Sequence, residues 1–269
     1  MTRIGRSFQL VGQSYRVLMQ DKELMVLPLI SGVLMFGVAA SFFFGLGIQA
    51  RLDDEAKEAW LIPGFLFYVV TYAIGIFFQA AVVAGATERL RGGDPTIGSA
   101  LSAASRRIVP ILMWAVVAAT VGMLLRALQD RAGFIGRIVV GIIGAAWSLA
   151  TFFVVPVLVL EEEPIGSSFG RSFELFKKTW GESFVGGVTI GAAAICAWVT
   201  LIAVVGLLAW AGLGLATFAV GVAGAIFLAV LFSALQGVFV ASLYQYATGG
   251  TTPNGFDKAL LSQAFVQKR

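Results

Sequence analysis

The sequence predicts an all-α, polytopic membrane protein with six transmembrane helices in three pseudo-repeats, each a cytoplasmic amphipathic helix followed by a two-span hairpin. Three observations lead there. Hydrophobic residues make up 58% of the 269-residue chain and charged residues only 13%, with a mean hydropathy of +0.89, a balance far from that of water-soluble domains. The apolar residues are gathered into runs long enough for a hydrocarbon layer about 30 Å thick, which needs roughly 20 residues per helix. A short amphipathic phrase also recurs ahead of these runs.

Taken in order, the first run covers residues 25–48, 24 residues without a charge, directly after Asp21, Lys22 and Glu23. Those acids read as an N-cap and a first-turn residue, where unpaired N–H groups and the helix dipole favour negative charge. Basic residues ahead of the run, and Val38, Ala39 and Ala40 within it, imitate a signal peptide. The run continues past that cleavage pattern, so an uncleaved first span is expected. Further spans are expected at 61–84, 108–125 and 138–160. From Ser183 to Phe256 there are 74 residues without a charge. That is too long for one span, and Ala211, Gly212, Leu213 and Gly214 mark a turn between spans at 184–211 and 213–243. Pro28, Pro63 and Pro110 lie in the first turns of their spans, where a missing N–H does least harm. Pro156 lies late in the fourth span, where a kink is expected and neighbouring helices must satisfy the freed carbonyl.

Six spans place loops alternately on two sides. Fourteen Lys and Arg fall on the side of the termini and five on the other: Arg51, Lys57, Arg126, Arg131 and Arg137. The positive-inside rule then puts both termini in the cytoplasm, in a bacterial inner membrane, with Asp53, Asp54 and Glu55 in an external loop.

The phrase GRSFQL at residues 5–10 returns as GRSFEL at 170–175. At the same offset Ile4, Phe8, Val11 and Tyr15 correspond to Phe169, Phe173, Phe176 and Trp180, with a third copy at Ile97, Leu101, Ala104 and Ile108. Steps of four, three and four line one face of a helix. Gln79 precedes Gly92 and Gly93 by the interval that separates Gln236 from Gly249 and Gly250. We therefore expect a single membrane domain over 1–269, with repeat units near 3–86, 94–160 and 164–247 and a closing surface helix at 254–267. The surface helices carry Phe8, Tyr15, Phe173, Phe176 and Trp180 beside Arg16, Lys177 and Lys178, a composition suited to anionic lipid headgroups. Topology explains the basic residues, so no nucleic-acid partner is expected.

No histidine occurs, which removes the commonest general base and metal ligand. No enzymatic activity, metal or cofactor is expected. Glu161, Glu162 and Glu163 are adjacent in sequence and do not converge on one point; they read as a solvated turn. Cys196, the sole cysteine, has no internal disulfide partner. Within the spans the candidate polar site is Gln79, Ser148, Thr151, Ser233 and Gln236, with Tyr68 and Tyr72 nearby. These side chains either line a substrate cavity or hydrogen-bond between packed helices. In the last span Thr217, Gly221, Ala225, Ala229, Ser233, Gly237 and Ala241 recur at every fourth position. Such a row drifts about 40° per step around a helix of 3.6 residues per turn, so it is expected to meet more than one neighbour.

The N-terminal pattern RIGRSFQLVGQSYRVLMQDKELMVLPLISG resembles the opening of an uncharacterised family of six-span prokaryotic integral membrane proteins. Ser7, Leu10, Ser14, Val17, Leu18, Asp21, Lys22, Glu23, Leu24, Pro28 and Ser31 carry the likeness. The Ser-Phe-x-Leu helix and the Gly-Gly segments are more loosely similar to the membrane domain of some glycerophosphodiester phosphodiesterases. Neither resemblance implies catalytic residues. The function expected is a non-enzymatic scaffold or partner-binding subunit, with a membrane-protein partner or a second copy of the chain; the alternative is a carrier of a lipidic or small uncharged compound.

The topology is open to a direct test. In a Cys196→Ser background, cysteines placed at Asp54 and Gln267 should react with impermeant maleimide from opposite sides of the membrane. Labelling of both from outside intact cells would overturn the six-span count.

Overall fold

Each apolar run forms a helix, because a backbone in hydrocarbon has only its own carbonyls to bond. The computed structural model describes residues 3–45 and 61–249, with side chains described for 12–45, 62–178 and 189–249. The expected external loop and closing helix at 254–267 lie outside the described residues. In order, α1 is Arg3–Gln20, a 3-10 turn covers Lys22–Met25, and α2 is Val26–Gly45. Then follow α3 (Leu61–Leu90), α4 (Ile97–Ser105), α5 (Ile108–Arg131) and α6 (Phe134–Ala150). A short turn α7 (Val154–Pro156) runs into a π-helical turn at Val157–Glu161, and α8 (Ile165–Trp210) and α9 (Gly214–Gly249) complete the described chain. Six stretches are long and apolar enough to cross a membrane: Lys22–Gly45, Ile62–Leu90, Ile108–Arg131, Phe134–Glu161, Thr189–Trp210 and Gly214–Gly249. Large apolar side chains such as Phe36, Phe134, Trp210 and Leu215 stand three-quarters or more exposed, as a multi-pass membrane protein requires and a water-soluble one does not tolerate.

Glycines end helices where the sequence suggested turns. Gly212 has φ +73°, and the Leu213 and Gly212 N–H groups donate to Leu208 O and Ala209 O, a Schellman closure. Gly92, at φ 90°, closes α3 in the same way, with Gly93 N donating to Glu88 O. The three expected surface segments differ from one another. The chain breaks between α1 and α2 and between α4 and α5, whereas α8 has helical backbone throughout its 46 residues.

The chain divides into two compact units that cut across the expected repeats: Met1–Leu29, Val82–Ala100 and Lys177–Arg269 in one, Ile30–Ala81 and Leu101–Phe176 in the other. In the first unit α1 packs on α9, and the fully buried side chains include Leu18, Leu24, Leu27, Phe239 and Leu243. The α1 residues turned inward are Gln13, Ser14, Val17 and Leu18, while Tyr15 stands 45% exposed. The small-residue row of α9 meets two neighbours within this unit. A Cβ at Gly221 would touch Val205 of α8 at 3.6 Å, and one at Gly237 would overlap the Val82 side chain of α3. In the second unit Trp114 stacks on Trp147 and Trp147 on Phe169, with ring centres 5.9 and 5.8 Å apart.

Val82 is buried and branched at Cβ, so it has little room to yield to a methyl group at Gly237. Gly237→Ala should lower unfolding stability in detergent by about 1–3 kcal/mol, the usual cost of overpacking. Gly141→Ala, where nothing lies within 4 Å, should leave stability unchanged or slightly raised, so equal behaviour of the two variants would refute the contact.

Candidate functional site

The five intramembrane polar residues do not share one environment. Ser148 and Thr151 donate to carbonyls of their own helix, Gly144 O and Trp147 O, each at 2.9 Å. Ser148, Gln79 and Ser233 are exposed, and Thr151 and Gln236 are half-buried. Gln79, Ser148 and Thr151 fall in one compact unit, Ser233 and Gln236 in the other. Of the expected surface set, Tyr15, Arg16, Phe173, Lys177 and Lys178 are exposed. Phe176 departs from that set: it is 3% exposed, with Phe152 as a ring neighbour at 6.4 Å. The side chains of Phe8 and Trp180 lie outside the described residues.

Polar groups gather instead where the helices break. Pro156 has no N–H to give, and its ring crowds the carbonyl four residues earlier. The fourth span accordingly interrupts its helix at residues 151–153. Ser172 of α8 stands in for the missing turn: its hydroxyl donates to Ala150 O at 2.8 Å and accepts from Phe153 N at 3.0 Å. Ser172 is wholly buried. Further along, Arg107 Nε donates to Leu158 O at 2.9 Å and Nη2 to Glu163 O at 3.1 Å, supplying donors to carbonyls at the end of the π turn. Glu162 takes a left-handed conformation, φ 58°, and Glu161 receives the Arg171 guanidinium at 2.9 Å. Of the three adjacent acids, Glu161 is thus engaged by Arg171 and the Glu163 backbone by Arg107.

A second centre lies in the other unit. Arg89, at the end of α3, donates through Nε and Nη2 to both carboxylate oxygens of Asp21 and through Nη2 to Asp94 at 2.8 Å. Asp21 is 7% exposed and makes no side-chain cap bond. The expected N-cap role is corrected here, because a charged, bidentate donor outcompetes a single backbone N–H. Beside it the Thr96 and Ser99 side chains cap α4 reciprocally at 3.0 Å, and the Ser99 hydroxyl reaches Glu88 at 3.0 Å. Sequence reading missed Ser172, Arg107 and Arg89 as organising residues. The one available signal was Pro156, which demanded a donor or acceptor from elsewhere without saying which. Among the described residues no group of three or more His, Cys, Asp or Glu gathers to hold a metal.

A family model described as "Family of unknown function (DUF6159)" matches residues 59–256, well over half of the chain. The N-terminal residues that carry the resemblance drawn from the sequence, Ser7 to Ser31, precede the matched segment. No curated protein and no solved structure matches the chain.

The break in the fourth span yields a contrast between two serines. Ser172→Ala leaves Ala150 O and Phe153 N without their buried partner and should destabilise by about 1–3 kcal/mol. Ser148→Ala removes only a bond to its own helix at an exposed position and should stay within about 0.5 kcal/mol of the parent. Thermal or denaturant unfolding in detergent reads both, and similar losses would argue against the bridging role of Ser172.

Proposed function

Since the chain belongs to this family of unknown function, we propose that it acts as a non-enzymatic scaffold or partner-binding subunit of the bacterial cytoplasmic membrane, with both termini cytoplasmic. The observation that carries this reading is the exposure of Gln79 on α3. It stands 18 residues after Leu61, about 27 Å along a helix of about 45 Å at 1.5 Å per residue, among apolar neighbours. A side-chain amide facing lipid has no hydrogen-bonding partner, whereas a second transmembrane helix can supply one. The other well-placed polar groups, Ser172, Arg107 and Arg89, hold the chain's own backbone and carboxylates. That use supports structure over chemistry. The amphipathic segments, with Tyr15 and Phe173 exposed beside Arg16, Lys177 and Lys178, suit anionic headgroups on the cytoplasmic side and would orient the module against its partner.

One observation favours a second reading. The fourth span is discontinuous at residues 151–153, and broken spans recur in carriers, where they bring backbone groups to a substrate. A carrier of a lipidic or small uncharged compound would draw on Gln79, Ser148 and Thr151, which fall in one compact unit, for its lining.

Site-specific photocrosslinking separates the two. A benzoylphenylalanine at Gln79, activated in cells, should give a discrete protein adduct, with a partner or with a second copy of the chain, while one at Val139, exposed and apolar, should give lipid adducts alone. Lipid adducts alone at both positions would remove the support for a partner-binding face.

A further inference from the structure

We propose that Arg126, Tyr68 and Tyr72 form a binding site for the phosphate of an anionic phospholipid, in the leaflet opposite the Asp21 and Arg89 ends of the first two spans. Arg126 Nη1 donates to the Tyr68 hydroxyl at 2.9 Å, and Tyr68 stacks on Tyr72 with ring centres 6.3 Å apart and planes 24° apart. Tyr72 in turn lies against Gly122, one turn before Arg126 on α5, where a Cβ would come within 2.9 Å of its hydroxyl oxygen. The glycine therefore seats the second tyrosine on the same face as the arginine. All four residues belong to one compact unit.

The chemistry left over in this cluster is of one kind. A guanidinium has five N–H donors and no acceptor, and the one bond described here uses a single donor. The Tyr68 oxygen accepts from Arg126, which leaves its own O–H to donate. The Tyr72 hydroxyl lies alongside. What completes such a group is a molecule rich in acceptors. Among the described residues no carboxylate stands within ion-pair distance of Arg126, Asp130 one turn onward included, so a ligand with net negative charge is favoured over a zwitterion.

Depth points the same way. Tyr68 is seven residues into α3, about 10 Å along it, and Arg126 is five residues before the end of α5, about 8 Å. Helix α3, about 45 Å long, spans the hydrocarbon and both headgroup layers, and α5, about 36 Å, slightly exceeds the hydrocarbon, so both positions lie just inside the headgroup boundary, from which long Arg and Tyr side chains reach outward to the lipid phosphates. Arg126 is exposed and Tyr72 is 37% exposed, open to a lipid arriving from the side. An arginine there binds a phosphate in a fork, with tyrosine walls suited to the interface.

The test compares full-length protein in detergent with added phosphatidylglycerol or phosphatidylcholine, read by thermal unfolding and by the lipids retained in native mass spectrometry. Phosphatidylglycerol should raise the unfolding temperature more than phosphatidylcholine and persist as a bound adduct. Arg126→Gln should lose more than half of that difference and Tyr68→Phe a smaller share. Arg137→Gln, exposed on α6 without a tyrosine pair, should keep it. An undiminished difference in Arg126→Gln overturns the site. So does a parent protein that makes no distinction between the lipids, the result expected if Asp53, Asp54, Glu55 or Glu58 neutralises Arg126. If Arg126→Gln fails to fold, an undiminished adduct on Tyr68→Phe also overturns it.

Discussion

A backbone inside hydrocarbon has no water to fall back on, and at the main departures from regular helix among the described residues a side chain supplies a substitute donor or acceptor. The fourth span shows the rule under most strain. Pro156 removes one N–H and displaces the carbonyl beneath it, the helix opens at residues 151–153, and Ser172 bridges the gap with one hydroxyl acting as both donor and acceptor. Arg107 does the same for the carbonyl of Leu158 within the π turn and that of Glu163 just after it. Unpaired, each such group would cost several kcal/mol in an apolar medium. The break is therefore permitted only because α5 and α8 lie where they do.

Charge is handled by the same logic at helix ends. Asp21 is nearly buried, and a carboxylate so placed is tolerable only when paired and hydrogen-bonded. Arg89 meets that demand in a fork and extends to exposed Asp94. The pair joins the break before α2 to the end of α3. Reciprocal capping of α4 by Thr96 and Ser99, and the reach of Ser99 to Glu88, stiffen the connection that follows. Arg126 stands apart from these arrangements. Its described partner is a neutral hydroxyl, so no carboxylate among the described residues supplies its counter-charge.

Between the ends, packing is set by the smallest residues. Lipid tails are as apolar as leucine, so helices associate through close contact rather than through expulsion of water. Gly237 lets α9 approach Val82, Gly85 lets Leu24 lie against α3, and Gly221 faces Val205. The four-residue row in α9 cannot face one partner along its length, since it winds around the helix as it climbs. Its division between α8 and α3 is the consequence. Sequence periodicity implied more than one neighbour and was silent on their names.

Hydrophobicity and run length, local properties read one segment at a time, determined by themselves the six helices, the turn at Gly212, the first-turn prolines and the disturbance near Pro156. The repeated phrase GRSFQL and GRSFEL was equally plain as text, but it does not say how the chain packs, and each compact unit draws on separate stretches of sequence. Chain order does not dictate which helix packs on which when all are apolar, and α1 finds α9 from the other end of the sequence. Only the tertiary structure decided that Gln13 and Ser14 turn inward while Tyr15 turns out, that Phe176 is buried, and that Asp21 takes Arg89 rather than a backbone N–H. The same is true of Ser172 at the broken span. Those outcomes depend on which long-range partner can satisfy a polar group or fill a gap, and a hydrogen bond spanning 68 residues leaves no periodic trace along the chain.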